Sequence, residues 1–109
     1  MNTEELLNQI RKSARKKIIY TEHALDRMNA EADVISKQEV RTVIFEGEII
    51  EDYPEDVRGH SCLLFTFSKM RRPIHLVCAP KEEYLGIITA YIPSLGKWNK
   101  DFKTRKESK

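Results

Sequence analysis

Apolar residues in the first part of the chain recur at helical spacing and predict three helices. Residues 3–17 form the first predicted helix, with an apolar face made of Leu6, Leu7, Ile10 and Ala14. Thr21 is a good N-cap for a second helix that ends near Asn29, and Ser36 with Glu39 makes a capping box that starts a third. The expected inner faces of these two helices are Ala24, Leu25 and Met28, and Val40, Val43 and Ile44.

After Gly47, which is expected to end the third helix, the spacing of apolar residues becomes that of strands. Four strand-like segments come next, separated by short turns: EIIEDY, SCLLFTFSK, PIHLVCA and YLGIITAYI. Short connections favour antiparallel neighbours, so we expect a four-stranded meander. The apolar IIY at residues 18–20 is either a link or a fifth, edge strand. The predicted fold is therefore α+β, with about three N-terminal helices on one face of an antiparallel meander sheet.

Length and composition are those of one domain. The chain has 109 residues, of which 40% are hydrophobic and 33% charged, which suffices for one modest core. We expect a single domain over residues 1–109: a basic helix at 1–17, a core at about 18–98, and a basic, flexible tail at 99–109 that is frayed or a short helix. The two cysteines, Cys62 and Cys78, are expected to be buried free thiols. Without a signal-peptide pattern or an apolar run of ~18 residues, a cytoplasmic protein is expected.

The formal net charge is only +2, but charges are unevenly distributed. Residues 11–17 include five cations, residues 46–56 include six acids and no base, and the tail is basic. Such patches can bind nucleic acid or simply be solvated. The acidic segment would repel RNA, so it is expected on the surface opposite any RNA site, where it could instead bind a basic protein partner.

His23 and Arg27 stand one helical turn apart, outside the apolar stripe of the second predicted helix. A histidine can move a proton near neutral pH, and the arginine fork fits a phosphate, so the pair could serve catalysis. It could equally be an exposed helix edge, in which Arg27 forms a salt bridge with Glu31 or Glu22.

The other histidines are His60 and His75, and the three fall in none of the spacings of metal ligands, so no metal site is expected. His60 follows a turn glycine and is most simply a surface residue. His75 lies on the strand face opposite Ile74, Leu76 and Cys78, which point to the core. It is either reachable by a ligand on the less covered face or partly buried and bonded to a neighbouring strand.

Further candidates lie after the last strand and at a hairpin tip. Tyr91 and Trp98 bracket the end of the fourth predicted strand, and Trp98 either closes the edge of the core or stacks on a base. Lys97 could contact a phosphate or be solvated. Arg71 and Arg72 form a basic hairpin tip, which is common in soluble sheets and is weak evidence for RNA contact.

The order of the segments YTEHALDRM, GEIIEDYPED, GHSCLLF, RPIHLVCA and IITAYIPSLGKW resembles the small prokaryotic domain-of-unknown-function family 4258, over roughly residues 18–98. That family looks similar to the RelE-like and BrnT-like endoribonuclease toxins of toxin–antitoxin pairs, which implies a RelE-like fold. The family's recurrent polar positions fall on His23, Arg27, His75, Tyr91 and Trp98. One departure is the link NAEADVIS, which is longer than the family's Arg-Gly-Ile type of turn and lacks glycine, and which bears on the orientation of the second helix.

The resemblance implies a metal-independent endoribonuclease in which an RNA 2′-hydroxyl attacks the adjacent phosphate. His23 or His75 would be the base and the other, or Tyr91, the acid, while Arg27 and Lys97 would stabilise the phosphorane. The implied RNA-binding residues are Lys97, Trp98, Arg71 and Arg72. No cofactor is implied, and the partners would be RNA and a cognate antitoxin protein. The alternative is a non-catalytic protein-interaction module that binds a partner through its charged surfaces.

Overall fold

The structure is a computed structural model that describes residues 1–32 and 34–107. Within these residues, the chain forms three helices and five strands. The elements are α1 (Thr3–Lys16), β1 (Ile18–Tyr20), α2 (Glu22–Ala30), α3 (Lys37–Glu46), β2 (Glu48–Tyr53), β3 (Ser61–Phe67), β4 (Pro73–Pro80) and β5 (Leu85–Tyr91). The predicted α+β fold, with helices first and a meander after, is confirmed.

Helix starts coincide with the capping residues. Thr21 accepts the N–H of Ala24 at 3.0 Å, and Ser36 and Glu39 form the predicted capping box at the start of α3. Gly47 ends α3, and its N–H donates to the carbonyl of Val43 at 2.9 Å. Thr21 and Ser36 therefore correctly predicted where α2 and α3 begin, and Gly47 correctly predicted where α3 ends.

The sheet has the order β1-β5-β4-β3-β2. Strands β2 to β5 form the predicted antiparallel meander. The IIY segment is the fifth, edge strand, and it pairs in parallel with β5, so the sheet is mixed. A parallel neighbour is possible because the intervening α2–β4 region is long enough to cross over.

The core lies between the helices and one face of this sheet. Its helical side includes Leu6, Ile10 and Ala14 of α1, Ala24 and Met28 of α2, and Val40, Val43 and Ile44 of α3. The prediction that Leu25 faces the core is wrong, because its side chain is exposed. Cys62 and Cys78 are buried free thiols, as predicted, and face each other across β3 and β4.

The C-terminal segment, residues 99–107, is neither frayed nor helical. It turns back so that Arg105 bridges to Trp98, and the Asp101 carboxylate accepts the N–H groups of Lys103 and Thr104. The Phe102 ring then packs on the sheet face that the helices leave open, against Phe65. Residues 108 and 109 of the predicted tail lie outside the described residues.

No helix in the described ranges is both long and apolar enough to cross a membrane.

Glu39 and Arg72 join α3 to the β3–β4 hairpin. The Arg72 Nε and Nη2 atoms donate to the two carboxylate oxygens at 3.0 and 2.7 Å, and Nη2 also donates to the carbonyl of Val34. Burial opposes ionisation of Glu39, but hydrogen bonds from Arg72 and Ser36 outweigh it and lower the pKa to about 2. The predicted RNA contact Arg72 is thus part of a structural ion pair.

Replacing Glu39 with glutamine should lower the free energy of unfolding by about 2 kcal/mol at neutral pH, because a buried, charge-assisted pair is lost while the capping box is retained. The depressed pKa means that the ion pair stabilises the fold above pH 4.5 and is lost as pH falls towards 2. Denaturant unfolding should therefore show the difference between wild type and variant shrinking in this window. The matched control is Glu46→Gln at exposed Glu46 of the same helix, and a pH-independent difference for Glu39→Gln would contradict the assignment.

Candidate functional site: a cationic cleft beside the end of β5

A cleft of about 390 Å³ lies between α2, the end of β5 and the residues directly after β5. Among the described residues that line it are five selected from the sequence and one charged residue that was not: His23, Arg27, Tyr91, Lys97 and Trp98, and Arg105. The polar face of α2 thus points to Tyr91.

Hydrogen bonds at both ends hold α2 against β5 and set this orientation. At its start, the N–H and hydroxyl of Thr21 donate to the carbonyls of Ile87 and Ile88, each at 3.0 Å. At its end, the Glu31 carboxylate accepts the N–H of Ile92 at 3.3 Å. Ala24 of α2 is buried in the core, and His23 and Arg27, which lie outside the apolar stripe of this helix, face the cleft.

Arg27 lies over the ring of Tyr91, with its Cζ 5.5 Å from the ring centroid, in a cation–π contact. In the described part of the chain it forms no salt bridge with Glu22 or Glu31, which was the alternative for an exposed helix edge. Its guanidinium therefore lies at the cleft wall without an ion pair to any described residue, an arrangement that suits an anion site.

His75 lies beneath the cleft and is fully buried, so the interpretation that a ligand could reach it is wrong. Its Nε2 is 2.7 Å from the carbonyl of Phe102, and its Nδ1 is 3.3 Å from the hydroxyl of Tyr91. A carbonyl can only accept, so Nε2 carries the hydrogen and Nδ1 accepts from Tyr91. Burial lowers the pKa of His75 and favours this neutral form. Both ring nitrogens are occupied, so His75 positions Tyr91 and the C-terminal segment.

Tyr91 presents its oxygen lone pairs, rather than its proton, to the cleft, because its hydroxyl hydrogen points to His75. Burial raises the pKa of Tyr91, so the phenol stays protonated at neutral pH. The geometry suits a positioning role better than that of a general acid.

Trp98 is only 2% exposed. The Arg105 Cζ lies 4.7 Å over its ring, and the His75 ring meets it at 4.4 Å and a right angle. No open face is left for a stacked base, so Trp98 closes the edge of the core and supports the cleft from below.

Arg105 is a charged cleft residue that the sequence did not single out. Its Nε and Nη2 atoms donate to the Glu51 carboxylate at 2.8 and 3.0 Å, and Tyr53 donates a further hydrogen bond to Glu51. The bond from Arg105 lowers the pKa of Glu51, and the same bond raises the pKa of Arg105. The basic tail was the only signal for this pair, which joins positions 54 residues apart.

The acidic segment, residues 46–56, was expected on the surface opposite any RNA site. Two of its acids instead contact basic residues of the C-terminal segment. The acidic segment forms β2 at the far edge of the sheet, where Glu51 holds Arg105 and Glu48 pairs with Lys103 at 2.9 Å. These pairs neutralise two of its acids.

Arg71 and Arg72 lie outside the cleft. Arg72 is bonded to Glu39, and Arg71, with a positive φ of 64°, borders a separate depression beside Glu31. His60 is also remote and bonds to Asp52 at 2.5 Å. Within residues 1–32 and 34–107, no three His, Cys, Asp or Glu side chains are grouped to hold a metal ion.

The sequence matches the model of one protein family, described as Domain of unknown function (DUF4258), over residues 20–92. No curated protein and no solved structure matches the chain. The matched range contains His23, Arg27 and Tyr91 and ends before the residues Lys97 and Arg105.

Replacing His75 with glutamine should flatten the acid side of the stability profile. Because the pKa of His75 is depressed, the unfolded chain binds a proton below about pH 6.5 that the folded protein resists, so stability falls as pH falls through this window. Denaturant unfolding followed by Trp98 fluorescence should show a smaller loss between about pH 6.5 and pH 5 in the variant. Measurements near pH 8 give the pH-independent cost of the substitution, and equal slopes below pH 6.5 would contradict the buried neutral imidazole.

Proposed function

The chain belongs to the DUF4258 family, and we propose that it is a metal-independent endoribonuclease toxin of the RelE or BrnT type, acting in the cytoplasm. One observation carries the proposal: an exposed imidazole, His23, shares a cleft with the cations Arg27, Lys97 and Arg105. An imidazole moves protons near neutral pH, and grouped cations stabilise the charge of a pentavalent phosphorus.

In the proposed reaction, His23 takes the proton of an RNA 2′-hydroxyl as its oxygen attacks the neighbouring phosphorus. The bond to the 5′-oxygen breaks, leaving a 2′,3′-cyclic phosphate and a 5′-hydroxyl that takes its proton from water. His75 is removed from this chemistry by its burial and both its hydrogen bonds. Tyr91 acts through Arg27, whose guanidinium lies over its ring, in place of the acid role that the sequence left open for it.

The cations contribute differently to binding the phosphate. Arg27 presents a fork fixed over Tyr91, Lys97 adds a mobile charge, and Arg105 is already oriented by Glu51. Pre-oriented groups lose less freedom on binding, so Arg27 and Arg105 should contribute most to stabilising the transition state.

A low net charge is compatible with RNA binding when the cations are concentrated at the site. Of the basic residues that line the cleft, Arg27 and Lys97 form no ion pair with a described residue, while Arg105 is paired with Glu51; Glu48 of the acidic strand is likewise paired with Lys103. The proposed protein partner is a cognate antitoxin. A protein that binds such a partner but never cleaves RNA would instead be an interaction module.

His23→Gln should reduce cleavage of single-stranded RNA by about 10²–10⁴-fold, the usual contribution of a general base, without changing stability, because the side chain is exposed. Expression of the wild type should arrest growth, and this variant should relieve it. His60→Gln is the matched control, since it removes an imidazole outside the cleft. Full toxicity and full cleavage by His23→Gln would exclude His23 from the mechanism.

Glu51 should act on cleavage only through Arg105. Arg105→Gln and Glu51→Gln should each lower kcat/KM by about tenfold, and the double variant should lose little more, because the same oriented guanidinium is removed in every case. The double-mutant cycle is measured with single-stranded RNA, with Lys12→Gln as a control for loss of an exposed positive charge. Additive losses would show that Glu51 acts independently of Arg105.

A further inference from the structure

Two phenylalanines lie on the open face of the sheet beside the cleft. Phe67, near the end of β3, is 50% exposed, which is unusual for a phenylalanine in a sheet. Phe102 of the C-terminal segment meets it nearly at a right angle, with ring centroids 6.1 Å apart. Buried Phe65 contacts both rings, with its centroid 5.3 Å from that of Phe67 and 6.3 Å from that of Phe102. The result is a fixed aromatic surface with one ring open to solvent.

Exposed lysines flank both phenylalanines along the chain, and one acid, Asp101, lies between Lys100 and Phe102. Lys69 comes after Phe67 in the hairpin turn, and Lys100 precedes Phe102; both are exposed and form no salt bridge within the described chain. The nearest acid on β2, Glu48, is neutralised by Lys103. Exposed lysines beside an exposed ring are the combination that single-stranded nucleic acids bind, through phosphate attraction and base stacking.

The sheet register connects this surface to the cleft. Tyr91 pairs with His75, and His75 pairs with Phe65, so the three residues lie side by side on the open face. Phe67 is two strand spacings from Tyr91, about 10 Å across the sheet, and about 7 Å further along it. A few nucleotides cover this distance, since each adds at least about 3.4 Å to a strand.

We propose that Phe67 and Phe102, with Lys69 and Lys100, form a secondary binding surface for single-stranded RNA, on which a base a few nucleotides from the reacting phosphate stacks against Phe67. This inference rests on the proposed function, because the cleft is taken to hold the phosphate. It specifies the substrate further: an unpaired strand of several nucleotides should bind much better than a dinucleotide. A duplex cannot offer a base to Phe67 without unstacking it.

Binding and cleavage are measured separately so that the two proposals can fail separately. Binding uses a fluorescent single strand of about eight nucleotides, carrying 2′-O-methyl groups so that the attacking hydroxyl is absent. Cleavage uses a dinucleoside monophosphate, which is long enough for the cleft but too short for Phe67. Phe67→Ala removes the ring, Phe67→Trp retains a stacking face, and Val57→Ala is the matched control at a fully exposed apolar side chain beyond the other end of β3.

Phe67→Ala should weaken binding of the longer strand by about tenfold, the loss expected for one stacked base. Phe67→Trp should restore that binding, Val57→Ala should leave it unchanged, and dinucleotide cleavage should be the same in all three variants. Far-UV circular dichroism checks that each variant is folded, since Phe67→Trp adds a second tryptophan to Trp98.

The proposed surface would be overturned if Phe67→Ala bound the longer strand as tightly as the wild type. It would also be overturned if Val57→Ala weakened binding of that strand as much as Phe67→Ala does. A third contradicting result would be a wild type that binds polyglutamate at low salt but does not bind the single strand. That result would assign the lysines to an acidic protein partner. Phe67-dependent binding by a wild type that cleaves no RNA would support the surface and overturn the proposed reaction.

Discussion

The burial of a single imidazole constrains the architecture around the cleft. His75 is fully removed from water, and a buried polar group without hydrogen bonds costs a few kcal/mol, so both ring nitrogens need partners. The carbonyl of Phe102 satisfies one and the hydroxyl of Tyr91 the other. The same ring therefore fixes the C-terminal segment over the sheet and the tyrosine at the floor of the cleft, so that neither can move without leaving a nitrogen of His75 without its partner.

Local sequence signals correctly predicted the features that depend on residues close together in the chain. Caps at Thr21 and Ser36 located two helices, and short turns correctly predicted the meander. The pairing of His23 with Arg27 on one face also came from helical spacing alone. The parallel pairing of β1 with β5 could not be predicted in this way, because it joins residues separated by most of the chain and depends on which edge of the meander is left free.

The remaining errors concern residues whose surroundings come from distant segments. Alternation placed His75 on the face away from the helices, which is correct, but that face is covered by a segment that begins 24 residues later at Asn99. Arg105 has no motif of its own, and its place in the cleft depends on its contacts with Trp98 and with Glu51, on the far edge strand. In each case the missing information was a long-range contact, to which periodicity and capping are insensitive.

The division of the cleft between two parts of the chain has a functional consequence. His23, Arg27 and Tyr91 lie within the range matched by the family model, whereas Lys97 and Arg105 lie beyond residue 92. Under the proposed mechanism, the proton-transfer group and the first phosphate fork thus belong to the family domain, and the chain beyond residue 92 supplies the additional cations. Since that part of the chain also carries Phe102 and its neighbouring lysines, changes at those residues would alter affinity and substrate length without altering the chemical step, whereas a change at Arg105 would alter the step itself. If both proposals hold, the reaction and the choice of substrate length are therefore set largely by different residues, although both depend on the same buried histidine.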